Sequence, residues 1–452
     1  MTAGPGVVAL LIVLYGAVAA RLGRASVTMP MVFVLAGLLL GPAGTGLLPL
    51  APEAEGVKLL TELTLVLVLF ADASTLRVRE LRADAGLPAR LLGVGLPLTV
   101  ALGAALGLGL APGLGLPAAA LVGAILAPTD AALGLAIFSD PRVPARVRRA
   151  LNVESGLNDG IATPLVTLCI ALTLAAGRRA AGGAADAADG GWLAAALREI
   201  ALGLLVGAAA GWGGGRLLSA TARRGWTVAL SEQLAILGLA LGAYAGALAL
   251  HGNGFVAAFA GGLAFGAGTG ARFGEPTEFV ENTGTLLSMG VWLVFGAVLV
   301  GAVVRQPGDW HPVVYAALSL TLVRMLPVAV ALLGTGLRRD TVALMGWFGP
   351  RGLASVVFTL LAYLSLVEAR QPADALVAIA TWTILLSVLL HGLTAQPLAA
   401  WYARRLRAAR AGGPALAEEV DVPAARVRRG LWPPARDPRA AAGPVPPPTG
   451  SR

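Results

Sequence analysis

Thirteen apolar runs of the length a membrane-spanning helix needs follow one another along the chain. They fall at residues 6–22, 30–48, 56–73, 87–110, 116–138, 151–177, 193–215, 229–250, 252–267, 279–304, 311–334, 341–367 and 374–398. Backbone in lipid must satisfy its own hydrogen bonds, so the runs read as an all-α polytopic membrane protein of about 13 spans. Hydrophobic residues make up 57% of the chain and charged residues 13%, about half the charge of an ordinary soluble domain. The net charge of +9 raises nucleic-acid binding as a reading. The basic residues, however, sit between apolar runs and in the tail, which is how membrane proteins fix orientation; no nucleic-acid partner is expected. One cysteine, Cys169, and three scattered histidines, His251, His311 and His391, make neither a disulfide framework nor a thiolate or histidine metal site.

Loop charge sets the direction of the spans. One set of alternate loops carries sixteen arginines, among them Arg77, Arg79, Arg82, Arg142, Arg146, Arg148, Arg149 and Arg272, against six basic residues in the other set. The basic side faces the cytoplasm, which puts the N-terminus outside and the C-terminus inside. No cleavable signal is read in the first run. The membrane domain spans 1–398. Residues 399–452 read as a basic cytoplasmic tail, disordered from about Gly412 on by its Pro, Ala and Arg content.

Charge inside the runs is costly and marks function. Segment 5 contains Ala127-Pro128-Thr129-Asp130, segment 6 opens with Asn152-Val153-Glu154-Ser155-Gly156-Leu157-Asn158-Asp159, segment 11 carries Arg324, and segment 12 carries Gly349-Pro350-Arg351-Gly352. Pro128 and Pro350 each remove a backbone donor and clash with the preceding turn, so helices 5 and 12 are expected to break there, beside a charge. At 1.5 Å per residue, Asp130 and Asp159 lie about 12 Å, and Arg324 and Arg351 about 15 Å, from the inner ends of their helices. All four fall near the middle of a roughly 30 Å core. Ser155 and Asp159 share one helical face, Glu154 and Asn158 the adjacent one. The first offers a hydroxyl and a carboxylate to a hard cation; the second offers a carboxylate that needs a basic partner, Arg324 or Arg351. With helix 7 as linker, helices 1–6 and 8–13 form two six-helix sets of opposite direction, each broken at its fifth member. Inverted repeats with matching broken helices are a transporter signature, with binding at the midplane.

At these residues the chain resembles the monovalent cation:proton antiporter-1 family of sodium/proton exchangers. The Thr-Asp of segment 5 and the Glu-Ser-x-x-Asn-Asp of segment 6 are similar to its ion-site motifs. So are Leu69–Ser74, His251–Ala257, the Arg324 segment and Gly-Pro-Arg-Gly at 349–352. The resemblance implies a homodimer in which helices 1–3 and 7–10 dimerise and helices 4–6 and 11–13 form the moving core. It implies that Asp159 exchanges a proton for a cation, with Asp130, Ser155 and the Thr129 carbonyl completing the site. It also implies that Asn158 ties helix 6 to the break in helix 5, that Glu154 pairs with Arg324, and that Arg351 offsets charge at the helix 12 break. Some relatives place a glutamate near the end of helix 3 where this chain has Ala73 and Ser74; Asp72 reads as a vestibule residue. His251 and His391 read as satisfied interfacial residues, with pH sensing as the alternative.

The expected function is antiport of Na⁺, with Li⁺ or K⁺ as alternatives, against H⁺ across the cytoplasmic membrane, one for one. No cofactor is expected, no nucleotide motif is present, and no nucleophile–base pair suggests an enzyme. A channel needs a continuous polar path or filter repeats, and a sodium-coupled solute symporter needs a roomier polar site; neither is read here.

Overall fold

Each apolar run forms a helix or a pair of half-helices in the computed structural model, which describes residues 3–76, 85–180, 191–269, 273, 277–305, 308–410 and 416–420. In chain order they are α1 (Ala3–Arg24), α2 (Met29–Leu40), α3 (Glu55–Thr75), α4 (Gly86–Leu110), α5a (Gly115–Ile125), α5b (Leu135–Phe138) and α6 (Ala145–Ala180). There follow α7 (Gly191–Arg223), α8 (Ala229–Ala249), α9 (Gly254–Thr269), α10 (Thr277–Val304), α11 (His311–Ala331), α12a (Arg339–Trp347), α12b (Leu353–Glu368) and α13 (Asp374–Arg410). Among the described residues all regular structure is helical. Among the described residues eight helices are long and apolar enough to cross a membrane, and the chain is a multi-pass membrane protein. Arg77, Arg79, Arg82 and Arg272 of the loop count, and most of the tail, lie outside the described residues.

Three features depart from the sequence expectation. The second run, 30–48, is helical only to Leu40, because Gly41 turns to extended backbone (φ −75°, ψ −173°) ahead of Pro42. Helix α11 is interrupted at Thr321 (φ −105°, ψ −88°). There the threonine hydroxyl returns to the Ala317 carbonyl at 2.7 Å, and Pro327 lacks the amide that would hold the Val323 carbonyl. The third departure is at the C-terminus. Helix α13 runs on past the expected span end at 398 to Arg410, and Ala417–Glu419, within the segment expected to be disordered, form a 3₁₀ turn in which Glu418 is 1% exposed.

The helices pack most heavily within two sets. One comprises α2, α3, α7, α8, α9 and α10; the other comprises α4, α5a, α6, α11 and α13. Small residues permit the closest approach. Gly203, Gly207 and Gly211 recur every fourth residue along α7 and face α9. A Cβ at each would lie 2.5, 2.2 and 2.0 Å from the carbonyl oxygens of Asn253, Ala257 and Gly261.

Candidate functional site

Helices α5 and α12 break opposite one another and their gaps cross. The Asp130 amide donates to the Pro350 carbonyl at 2.8 Å, so the two non-helical stretches, 126–134 and 348–352, are joined backbone to backbone. Each break strands helix-end groups in the protein interior, where they require partners. At the carboxyl end of α5a, Ser355 Oγ donates to the Ile125 carbonyl (2.7 Å) and Arg351 Nη1 to that of Ala127 (3.2 Å). Arg351 Nη1 also reaches the Gly349 carbonyl (3.2 Å). At the amino end of α12b, the Leu353 amide donates to Asp130 Oδ2 (2.9 Å), and the Ala132 amide to Asp130 Oδ1 (2.7 Å). A cation thus stands at a negative helix end and an anion at a positive one, as the helix dipoles favour. The glycines have a steric reason: a Cβ at Gly352 would lie 2.0 Å from Asp130 Oδ2, and one at Gly349 2.3 Å from Arg324 Nε.

Helix α6 passes this crossing with its polar faces turned to it. Ser155 Oγ donates to the Thr129 carbonyl (2.6 Å), and Asn158 Nδ2 to Thr129 Oγ1 (2.6 Å). Glu154 pairs with Arg324 in a two-pronged arrangement, Nη1 to Oε1 at 2.7 Å and Nη2 to Oε2 at 3.0 Å. Both partners are buried, 2% and 1% exposed. The sequence left Arg351 as a competing partner, because helical depth set Glu154 nearer the cytoplasm than Arg324. Arg324 takes Glu154, and Arg351 is taken up by carbonyls instead.

Asp159, 8% exposed, lines a cavity of about 90 Å³ together with Asp130, Asp72, Glu281, Trp292 and Leu353. Next to it on α6, Ser155 and Asn158 are both tied to Thr129 of the α5 gap. Sequence reasoning missed four supporting residues. Glu281 carries no motif. Ser355 and Ser387 are hydroxyls indistinguishable from others in apolar helices, yet Ser387 Oγ accepts from the Arg351 amide at 2.6 Å. His391 is 1% exposed, not interfacial. Its Nε2 is 2.8 Å from the Trp347 carbonyl and its Nδ1 3.1 Å from Ser387 Oγ, so α13 holds both sides of the α12 gap. His251 occupies the left-handed turn before α9 (φ +55°).

Two interrupted helices crossing beside a cavity, with buried charges of both signs at the crossing, define a membrane transporter fold. The chain belongs to the sodium/hydrogen exchanger family, whose transmembrane profile matches residues 7–401. It is similar to the K⁺/H⁺ antiporter NhaP2 of Shewanella sp. (strain ANA-3), 25% identical over 395 residues, covering 84% of this chain and 63% of that protein. It is also similar to the Na⁺/H⁺ antiporter NhaH of Halobacillus dabanensis, 29% identical over 285 residues, covering 61% of this chain and 66% of that one. The chain therefore spans just under two thirds of the length of NhaP2. The same fold occurs in the sodium proton antiporter MjNhaP1 from Methanocaldococcus jannaschii, with TM-score 0.71, 20% identity, and coverage of 88% of this chain and 98% of that one.

Proposed function

We propose that the protein is a secondary antiporter that exchanges a monovalent cation, Na⁺ first, for H⁺ across the cytoplasmic membrane. The observation that carries the reading is the Asp159 carboxylate on a cavity wall at the crossing of two broken helices. A carboxylate in so little water is stable with a proton or with a cation, and alternating access needs only that choice. In this reading Asp159 is the exchange group. Asp130, Ser155 and the Thr129 carbonyl are the further oxygen ligands. With its proton on the Thr129 carbonyl, the Ser155 hydroxyl keeps its lone pairs for a cation. Asn158, the Glu154–Arg324 pair and Arg351 hold the geometry, and Asp72 lies in the vestibule.

The loop charges support an outside N-terminus and a cytoplasmic C-terminus. The cavity then opens toward the cytoplasm, since it is walled by the inner ends of α1, α3 and α13 and the start of α10. The two packing sets fit a core (helices 4–6 and 11–13) moving against a dimerisation domain (helices 1–3 and 7–10) of a homodimer in the lipid bilayer. K⁺ is the second reading, favoured by the K⁺/H⁺ names of relatives such as NhaP2. Both ions take oxygen ligands. The test is dissipation of a preset pH gradient in proteoliposomes on addition of Na⁺, Li⁺ or K⁺. Proton movement driven by at least one of them without organic solute is expected; none with any of the three sinks the reading.

A further inference from the structure

We propose that Glu418 is a positioning residue, and that Leu416–Val420 is a clasp fixing the inner ends of helices 6, 12 and 13 to one another. The inference rests on the antiport reading only for its rate readout.

Half-helix α12a is nine residues long and leads directly into the Gly-Pro-Arg-Gly gap. Its N-cap residue, Arg338, has no side-chain oxygen to offer the first turn, and no side-chain cap bond is made there by that residue. The tail supplies an acceptor from about 80 residues away. Glu418 Oε1 accepts from the Arg338 amide at 2.8 Å and from Thr341 Oγ1 at 2.7 Å. Thr341 Oγ1 also lies 3.0 Å from the Tyr402 hydroxyl on α13. Beside it, Arg146 in the first turn of α6 donates Nη1 to the Ala417 carbonyl at 2.6 Å, and Arg410 at the end of α13 pairs with Glu419. A five-residue segment therefore bonds the inner ends of three helices. Two of them carry the groups of the crossing, Asp159 on α6 and Arg351 just beyond α12a. An acidic side chain at a helix amino end is also favourable to its dipole, and Glu418 is buried at 1% exposure, so the contact is a built interface rather than a surface encounter.

Without the clasp, α12a loses its amino-end anchor while the crossing is kept by its own bonds. The ion site then still binds, but the core no longer moves as one body. Exchange should slow while the cation concentration for half-maximal rate stays the same.

The test compares full-length wild type, Glu418→Ala, Glu418→Gln and Thr341→Val in proteoliposomes at matched protein density, with melting temperature measured in parallel. Expected are a maximal rate at least threefold lower in Glu418→Ala and about twofold lower in Thr341→Val. Half-saturation should stay within twofold of wild type in both. Glu418→Gln, which keeps the accepting oxygen, should retain more than half the rate. Wild-type rates in both Glu418→Ala and Thr341→Val overturn the proposal. So does a shifted half-saturation at unchanged rate, or a Gln variant as slow as Ala. If Glu418→Ala does not fold, the near-isosteric Thr341→Val carries the comparison. If wild type itself exchanges nothing, the antiport reading fails. The clasp is then judged by melting temperature alone, which should fall in Glu418→Ala and recover in Glu418→Gln.

Discussion

A carboxylate with 8% exposure on the wall of a membrane cavity, as Asp159 has, is held neutral by whatever positive species reaches it. Asn at this position keeps the shape and removes the charge. Asp159→Asn is expected to fold with a near wild-type melting temperature and to lose exchange completely; cation-driven proton flux at wild-type rate in that variant would end the mechanism. Glu154 and Arg324 carry a different expectation. Both are buried and each satisfies the other, so removing either leaves an uncompensated charge, at a cost of about 3–5 kcal/mol. Glu154→Ala and Arg324→Ala should each lower the melting temperature more than Asp159→Asn does. A double-mutant cycle should return a strong coupling, whereas additive losses would place the pair's energy elsewhere.

At the scale of elements, the crossing explains why two short sequences must be what they are. Proline opens each helix, and the opened ends are then closed by groups from the other helix: Ser355 and Arg351 on α5a, Asp130 on α12b. Gly352 leaves the room that Asp130 occupies. Gly352→Ala adds one methyl group against a carboxylate and backbone that have nowhere to go, an overpacking cost of about 1–3 kcal/mol. The variant should melt earlier than wild type and exchange at under a tenth of its rate; normal stability and rate would mean the Asp130–Leu353 contact is dispensable. Outside the membrane, the Arg338 guanidinium bonded to Asp340 holds that carboxyl below its ordinary value at the amino end of α12a. Its contribution to stability is present above the ordinary carboxylate range and fades as pH falls through it.

For the whole molecule, the count of exchangeable groups sets the stoichiometry. Position 158 is Asn, neutral at every working pH, and Asn158 is spent on Thr129. Glu154 is occupied by Arg324. Both Asp130 oxygens accept backbone amides. On the proposed reading the exchanging carboxylate is Asp159, which holds either one proton or one monovalent cation. Exchange should be one for one and electrically silent. Clamping the membrane potential of proteoliposomes should leave the rate unchanged, and a rate that rises on clamping would rule the scheme out. Because proton and cation compete for the same group, half-saturating cation concentration should climb as pH is lowered; an affinity independent of pH across the active range would contradict a shared site.

Much of this was legible in the chain itself. Apolar run length fixes the number and order of spans because lipid permits so few backbone solutions. Proline beside a charge located both breaks, since its effect is local to the helix it sits in. Buried acids and arginines announced a site because their cost in a membrane has to be offset somewhere. What the sequence left open was every choice that depends on which distant group arrives. Glu154 had two candidate arginines, and with Arg351 claimed by the carbonyls beyond α5a it is Arg324 that pairs with it. Thr129 and Ser155 were read as parallel ligands, and packing joined them to each other. Ser355, Ser387 and His391 are unremarkable until the gaps they close are brought beside them. The tail's composition, which averages over a segment, gave no sign of the single bonds from Glu418 to Arg338 and Thr341, about 80 residues earlier. Local pattern thus determined the helices, their breaks and their charges; pairings between remote residues were decided in three dimensions, where the desolvated partner within reach takes the bond.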